Sequence, residues 1–155
     1  MIGLEKKKSH LVLETEVVSV NGHEDRSCIQ TESVWHRQGD MLIVSYQEIM
    51  DGQKTVSELQ VALDGTRIRL KRAGSIEQDH VFLVGQKTKS QYQTLYGTMD
   101  FSTDTESIEI CYEQGILKQV TFVYQLFLCE ERIGCFKITH QFFPTILSNG
   151  TEVFH

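Results

Sequence analysis

Residues 42–72 read LIVSYQEIMDGQKTVSELQVALDGTRIRLKR, and the two Asp-Gly pairs in this stretch decide how it folds. Asp-Gly favours a two-residue hairpin loop, because glycine takes positive φ without strain. Residues opposite one another on paired strands share a face, so each bend fixes a register that hydrophobicity can test. A bend at Asp64-Gly65 sets Leu63 opposite Thr66, Val61 opposite Ile68, Leu59 opposite Leu70 and Ser57 opposite Arg72. A bend at Asp51-Gly52 sets Leu42 opposite Val61, Val44 opposite Leu59, Tyr46 opposite Ser57 and Glu48 opposite Thr55. The two bends agree on one apolar face, with a polar row of Tyr46, Ser57 and Arg72 toward one end of the sheet. The other face carries Lys54, Gln60, Arg67, Arg69 and Lys71, as a solvated surface should.

The same alternation runs along the chain. Segments rich in Val, Ile, Thr, Phe and Tyr lie between Gly, Asn and Asp turn signals, and Pro144 is the only proline. No run repeats apolar residues with a helical period. A three-residue loop at Ala73-Gly74-Ser75 puts Ile76, Gln78, His80 and Phe82 inward, and we favour it over a two-residue loop that would put Glu77, Asp79, Val81 and Leu83 there. A loop at Val84-Gly85-Gln86 then brings Tyr92 beside Gln78 or His80, with Tyr92, Thr94 and Tyr96 facing inward. A turn at Asp104-Thr105 matches Phe101 with Ile108 and Met99 with Ile110. The last long pair sets Val120, Phe122, Tyr124 and Leu126 against His140, Ile138, Phe136 and Gly134. A meander of about ten short strands closes on itself to remove its unpaired edges. The expected fold is therefore all-β, an antiparallel up-and-down barrel forming a single domain over residues 1–155 with its core at about 9–143.

Composition narrows the function. The chain has 155 residues and is 40% hydrophobic and 23% charged, the profile of one folded domain. A formal charge of -6 gives no global field toward nucleic acid or anionic lipid, so neither nucleic acid nor a membrane is expected as partner. The start, MIGLEKKKSHLVLETEV, lacks the uninterrupted apolar run of ~7 to 15 residues of a secretory signal, and no stretch approaches the ~20 residues of a membrane helix. The expected location is cytoplasmic. Cys28, Cys111, Cys129 and Cys135 read as reduced thiols, and no C-x-x-C or H-x-x-x-H pair supports a metal. No cofactor is expected.

The constellation with chemistry in it is Tyr46, Glu48, Arg72, His80, Tyr92 and Tyr96, all placed inward by the pairing argument. A buried guanidinium needs an acceptor, and Glu48 is the nearest inward one. An Arg with several phenols at a barrel mouth suits the polar group of an otherwise apolar small-molecule ligand. The same residues also suit a plug in which they satisfy one another. Under that second reading the protein acts through its outer surface. A third, enzymatic reading makes Tyr46 or Tyr92 and Glu48 acid and base beside Arg72. His80 and His140 lack a second metal ligand at recognisable spacing and read as hydrogen-bonded core or rim residues. Trp35 reads as packing, and Arg67, Arg69 and Lys71 as a solvated outer strand.

The order SYQE, DG, LQVALDG, IRLKRAG, QYQTLYGTM, G-x-L…VYQL and IGCFKI resembles the YwiB-like bacterial domain family over roughly residues 9 to 143. The most specific parts are Arg72-x-Gly74 and Tyr92-x-Thr94-x-Tyr96-Gly97, with Phe82 and Gly85 also in the expected places. Gln78 stands where an apolar residue is expected. The resemblance implies a calycin-type, lipocalin-like barrel and carries no activity and no catalytic residues with it.

Overall fold

The computed structural model of the chain describes residues 5–50 and 52–145. Ten strands make up its regular structure: β1 (Lys7–Ser19), β2 (Glu24–Gln38), β3 (Met41–Met50), β4 (Gln53–Ala62), β5 (Arg67–Gly74), β6 (Ile76–Leu83), β7 (Lys87–Thr94), β8 (Gly97–Glu113), β9 (Ile116–Leu128) and β10 (Glu131–Pro144). Each pairs antiparallel with its neighbour in the chain, and β1 returns to β10 to close the barrel. This up-and-down order puts the β1–β2, β3–β4, β5–β6, β7–β8 and β9–β10 connections at one end, called the upper end below.

The register expected from the Asp-Gly bends holds through β3, β4 and β5. Leu42 lies opposite Val61, Val44 opposite Leu59, Tyr46 opposite Ser57 and Glu48 opposite Thr55. Ser57 faces Arg72, Leu59 faces Leu70 and Val61 faces Ile68. Asp51 itself falls outside the described residues. At the second bend Gly65 donates its N–H to Ala62 O at 3.0 Å, so Leu63 and Asp64 form the corner and Gly65 follows with φ 75°. The expected β9–β10 register also holds, from Leu126 opposite Gly134 to Val120 opposite His140.

Three expectations need correction. The inner face of β6 is as expected, since Ile76, Gln78, His80 and Phe82 are all buried. However, Arg72 pairs with Gln78 and not with Ile76 as a three-residue loop would require, and both strands run on past that pair to leave only Ser75 between them. Gly74 explains the difference. It stays in β5 opposite Thr55, at φ 138°, so close to β4 that a Cβ would run into the Lys54 carbonyl. Only glycine allows that extra strand residue.

Residues Asp104 and Thr105 do not form a turn. β8 runs straight through them, and the chain reverses instead at Leu95-Tyr96, between the paired Thr94 and Gly97. Met99 consequently faces Tyr92, and Phe101 faces Ser90. Tyr96 does not point inward; it is 95% exposed at the hairpin tip. A bulge between Thr105 and Ser107 then switches the phase, so that Phe101, Thr103 and Thr105 are buried before it and Ile108 after it.

Between these layers of strand the interior is apolar and aromatic. Leu11, Leu42, Val44, Leu59, Val61, Ile68 and Val120 are fully buried, and Trp35 is buried with its Nε1–H donated to Ser9 Oγ at 3.1 Å. Leu59 sits in the middle of the β3–β4–β5 register that the fold depends on. Leu59→Ala should lower unfolding free energy by about 2–5 kcal/mol, as buried Leu→Ala changes do, read as a drop in the urea midpoint.

Candidate functional site

One row of inward side chains runs around most of the barrel at the same height. Tyr46 pairs with Ser57, Ser57 with Arg72, Arg72 with Gln78, Gln78 with Tyr92, and Tyr92 with Met99. Parity alone puts these residues side by side, because each is an even number of positions from the apolar rows below. Glu48 lies one inward step nearer the upper end and takes a hydrogen bond from Arg72 Nη2 at 2.9 Å. The pair is largely withdrawn from water, with side-chain exposures of 19% and 6%. Arg72 Nε, also buried, has no acceptor among the described residues.

Below this row lies a cavity of about 360 Å³. Arg72, Gln78, Tyr92 and Met99 border it on one side, and Leu70, Phe82 and Phe101 form part of its wall. Tyr124, Leu126, Leu128 and Phe136 complete it from β9 and β10. The rings of Tyr92 and Phe101 lie nearly parallel with centroids 6.3 Å apart, and those of Tyr124 and Phe136 likewise at 5.5 Å. Gln78 is only 6% exposed, yet its carboxamide makes no hydrogen bond with any described residue. The Tyr124 hydroxyl is equally unpartnered, and burial pushes its ionisation well above the usual phenol range. Arg72 and Gln78 also border a groove of about 570 Å³ on the outside of the barrel.

The six residues singled out in the sequence therefore separate. Arg72 and Tyr92 line the cavity, and Glu48 holds Arg72. Tyr46 is committed elsewhere: its hydroxyl meets His140 Nε2 at 3.3 Å in the core, and burial raises its ionisation, assisted by Glu48. Tyr96 is outside altogether. Gln78 and Tyr124, which supply the free polar atoms of the cavity, were expected only as an inward residue and an aromatic filler. Parity placed both, but nothing in the sequence showed that their polar groups would lack partners.

His80 serves the wall. The β6–β7 ladder stops at Gln78 opposite Tyr92, and side chains span the remaining gap. His80 Nδ1 and Nε2 lie 2.7 Å from Ser90 Oγ and Thr103 Oγ1 respectively. Thr88 Oγ1 donates to the Val81 carbonyl, so at 3.3 Å from His80 Nε2 it can only accept. That pattern assigns the proton to Nε2 and makes Nδ1 the acceptor for Ser90. Burial brings the His80 pKa down to about 4 and that of His140 to about 3.

The outer strand RIRLKR behaves as an outer strand. Arg69 holds Asp79 through two hydrogen bonds, of 2.9 and 2.8 Å, and this pairing keeps the Asp79 carboxyl below its usual range. The four cysteines form no disulfide. Among the described residues no group of three or more His, Cys, Asp or Glu could hold a metal ion, and no helix is long and apolar enough to cross a membrane.

A domain of unknown function, DUF1934, matches residues 12–139. The chain belongs to the DUF1934 family. Its fold is shared with the ywiB protein from Bacillus subtilis, whose crystal structure superimposes with a TM-score of 0.72 over 90% of this chain and 94% of that one. Sequence identity is 16%, so this likeness shows the fold of the family member and nothing of its chemistry. No curated protein matches the chain.

Two outcomes follow from this geometry. Arg72→Met strands the buried Glu48 carboxylate and should cost about 3–5 kcal/mol in urea unfolding, while Arg72→Met combined with Glu48→Gln should recover much of the loss. The histidines set an acid limit. His80 and His140 have folded pKa values of about 4 and about 3, below the unfolded 6.5, so the unfolded chain binds more protons as pH falls below 6.5. Their contribution is fully present above pH 6.5 and is lost as pH falls toward those folded values, by up to about 1.4 kcal/mol per histidine per pH unit. The variant His80→Gln/His140→Gln should show a flatter stability profile between pH 6 and pH 4 in urea titrations, whatever its stability at pH 7.

Proposed function

We propose that the protein is a non-catalytic binder of a small, partly apolar molecule held inside the barrel. The observation that carries this reading is the cavity of about 360 Å³, walled by aromatic and aliphatic side chains and bordered by a few unpartnered polar groups. Its size falls within the ~300–1,000 Å³ of small-molecule sites, and this mixture of surfaces is typical of them. The calycin-type, lipocalin-like ancestry implied by the sequence resemblance supports the reading by analogy of fold alone. A cytoplasmic location agrees with four cysteines that form no disulfide. An acid–base role for Tyr46 and Glu48 has less support, because His140 and Arg72 already engage them.

One observation favours a second reading, in which the outer surface engages another macromolecule. Leu95 and Tyr96 stand 76% and 95% exposed at the β7–β8 tip, an unusual place for two large apolar side chains. The two readings separate experimentally. Titration with the neutral dye N-phenyl-1-naphthylamine should give saturable fluorescence enhancement at one site per chain. Leu126→Trp, which fills the cavity, should weaken that binding at least tenfold and leave the melting temperature equal or higher. Unsaturable or absent enhancement, or binding lost on Leu95→Ser/Tyr96→Ser and untouched by Leu126→Trp, would remove the cavity as the site.

A further inference from the structure

We propose that the cavity takes a neutral, planar heteroaromatic molecule carrying a hydrogen-bond donor beside an acceptor on one edge, and that Gln78 recognises that edge. This rests on the cavity-binding reading above and names the class of ligand. Charge is the first argument. Arg72 invites an anion, but its guanidinium already holds the Glu48 carboxylate at 2.9 Å, and the pair is largely buried. A ligand carboxylate or phosphate would place a second negative charge near Glu48 in an apolar enclosure, with no further cation among the residues that line it. The phenols of Tyr92 and Tyr124 add polarity without charge. A neutral guest meets no such penalty.

Shape is the second argument. Tyr92 stacked on Phe101 and Tyr124 stacked on Phe136 present paired ring surfaces to the cavity, and flat π systems pack well against them. The volume, about 360 Å³, lies at the low end of the ~300–1,000 Å³ of small-molecule sites, which suits a body of about two rings.

The decisive group is Gln78. It lines the cavity at 6% exposure, and neither its carbonyl nor its amino group has a partner among the described residues. A carboxamide offers a donor and an acceptor side by side, the pattern by which glutamine pairs with the edge of a base or lactam through two hydrogen bonds. No described side chain or backbone group bonds this carboxamide, so both of its hydrogen-bonding groups are available to a guest with the complementary edge. Bound this way, a flat molecule would set its polar edge toward the Arg72–Gln78–Tyr92 row and its apolar edge toward Phe82 and Leu126.

Three two-ring probes of similar size test this by ligand-observed NMR titration of the full chain at pH 7. They are 2-quinolone, with N–H beside C=O; naphthalene, with no polar edge; and 2-naphthoate, with a charge. The expected order is 2-quinolone tighter than naphthalene by about tenfold, the worth of two modest hydrogen bonds, with 2-naphthoate weaker than both. Gln78→Leu should make 2-quinolone and naphthalene equal by weakening the first alone; Gln78→Met serves if the leucine variant does not fold. Should 2-naphthoate bind tightest, or the quinolone preference survive both substitutions, the proposal is overturned while binding in the cavity stands. If none of the three binds and the neutral dye also fails, the cavity reading falls and this inference with it.

Discussion

The pairing of β1 with β10, from Ser9 opposite Pro144 to Ser19 opposite Gly134, turns a ten-strand meander into a closed wall. An open sheet would leave two edges of unpaired N–H and C=O groups, and it would tolerate a slipped strand at its margin. Closure removes both freedoms, since every strand must then agree in phase with its neighbours on either side. Gly134 shows how tight the seam is: a Cβ there would strike the Val18 carbonyl and Ser19 backbone. The continuous row from Tyr46 to Met99 follows from this agreement of phases. No residue in that row was placed by a local preference of its own.

The break in the β6–β7 ladder is repaired by side chains. Past Gln78 and Tyr92, β6 and β7 no longer pair, and the hydrogen bonds run instead from Ser90 to His80, from His80 to Thr103, and from Thr88 to the Val81 carbonyl. A neutral imidazole suits the task because it donates from one nitrogen and accepts at the other. It also packs edge-on against Phe82 and Phe101, each at 4.7 Å between ring centroids. A charged imidazolium could not accept from Ser90 and would be poorly solvated among these rings. The depressed basicity of His80 thus reflects a structural duty.

The sequence displayed the parts of the fold in which a local signal and a long-range pattern coincide. The Asp-Gly pairs at 51 and 64 agree with alternation over three strands, which places Leu59, Leu70 and Arg72 on one face, as observed. The failures lie where the two kinds of signal part. Asp104 and Thr105 look like a turn because they are small and polar, yet the strand runs on: Thr103 turns inward to bond His80, and Thr105 turns inward with its hydroxyl unpartnered. Leu95 and Tyr96 look like strand interior because they are large and apolar, yet they form a hairpin tip supported by Thr94 Oγ1 accepting from the Tyr96 N–H at 3.0 Å. The bulge at Thr105–Ser107 left no local mark, and a change of phase becomes visible only when both flanking strands are known. Of the candidate site, the Arg72–Glu48 pair was legible as charge complementarity on one face, whereas the empty space beneath it depends on summed side-chain volumes that no alternation pattern reports.

That space is too large to be a packing defect. It opens partly to solvent and carries Arg72, Gln78 and Tyr92 along one side, so it is a water-accessible recess rather than a sealed void. The side chains that line it leave about 360 Å³ of space. Arg72 on its border reaches to Glu48, and Tyr46 in the same row turns to His140. Water suits the polar row of Arg72, Gln78 and Tyr92 but gains little from Phe82, Phe101, Leu126 and Phe136 below it. Under the proposed binding role, a molecule with one polar edge and one apolar body would satisfy both surfaces at once.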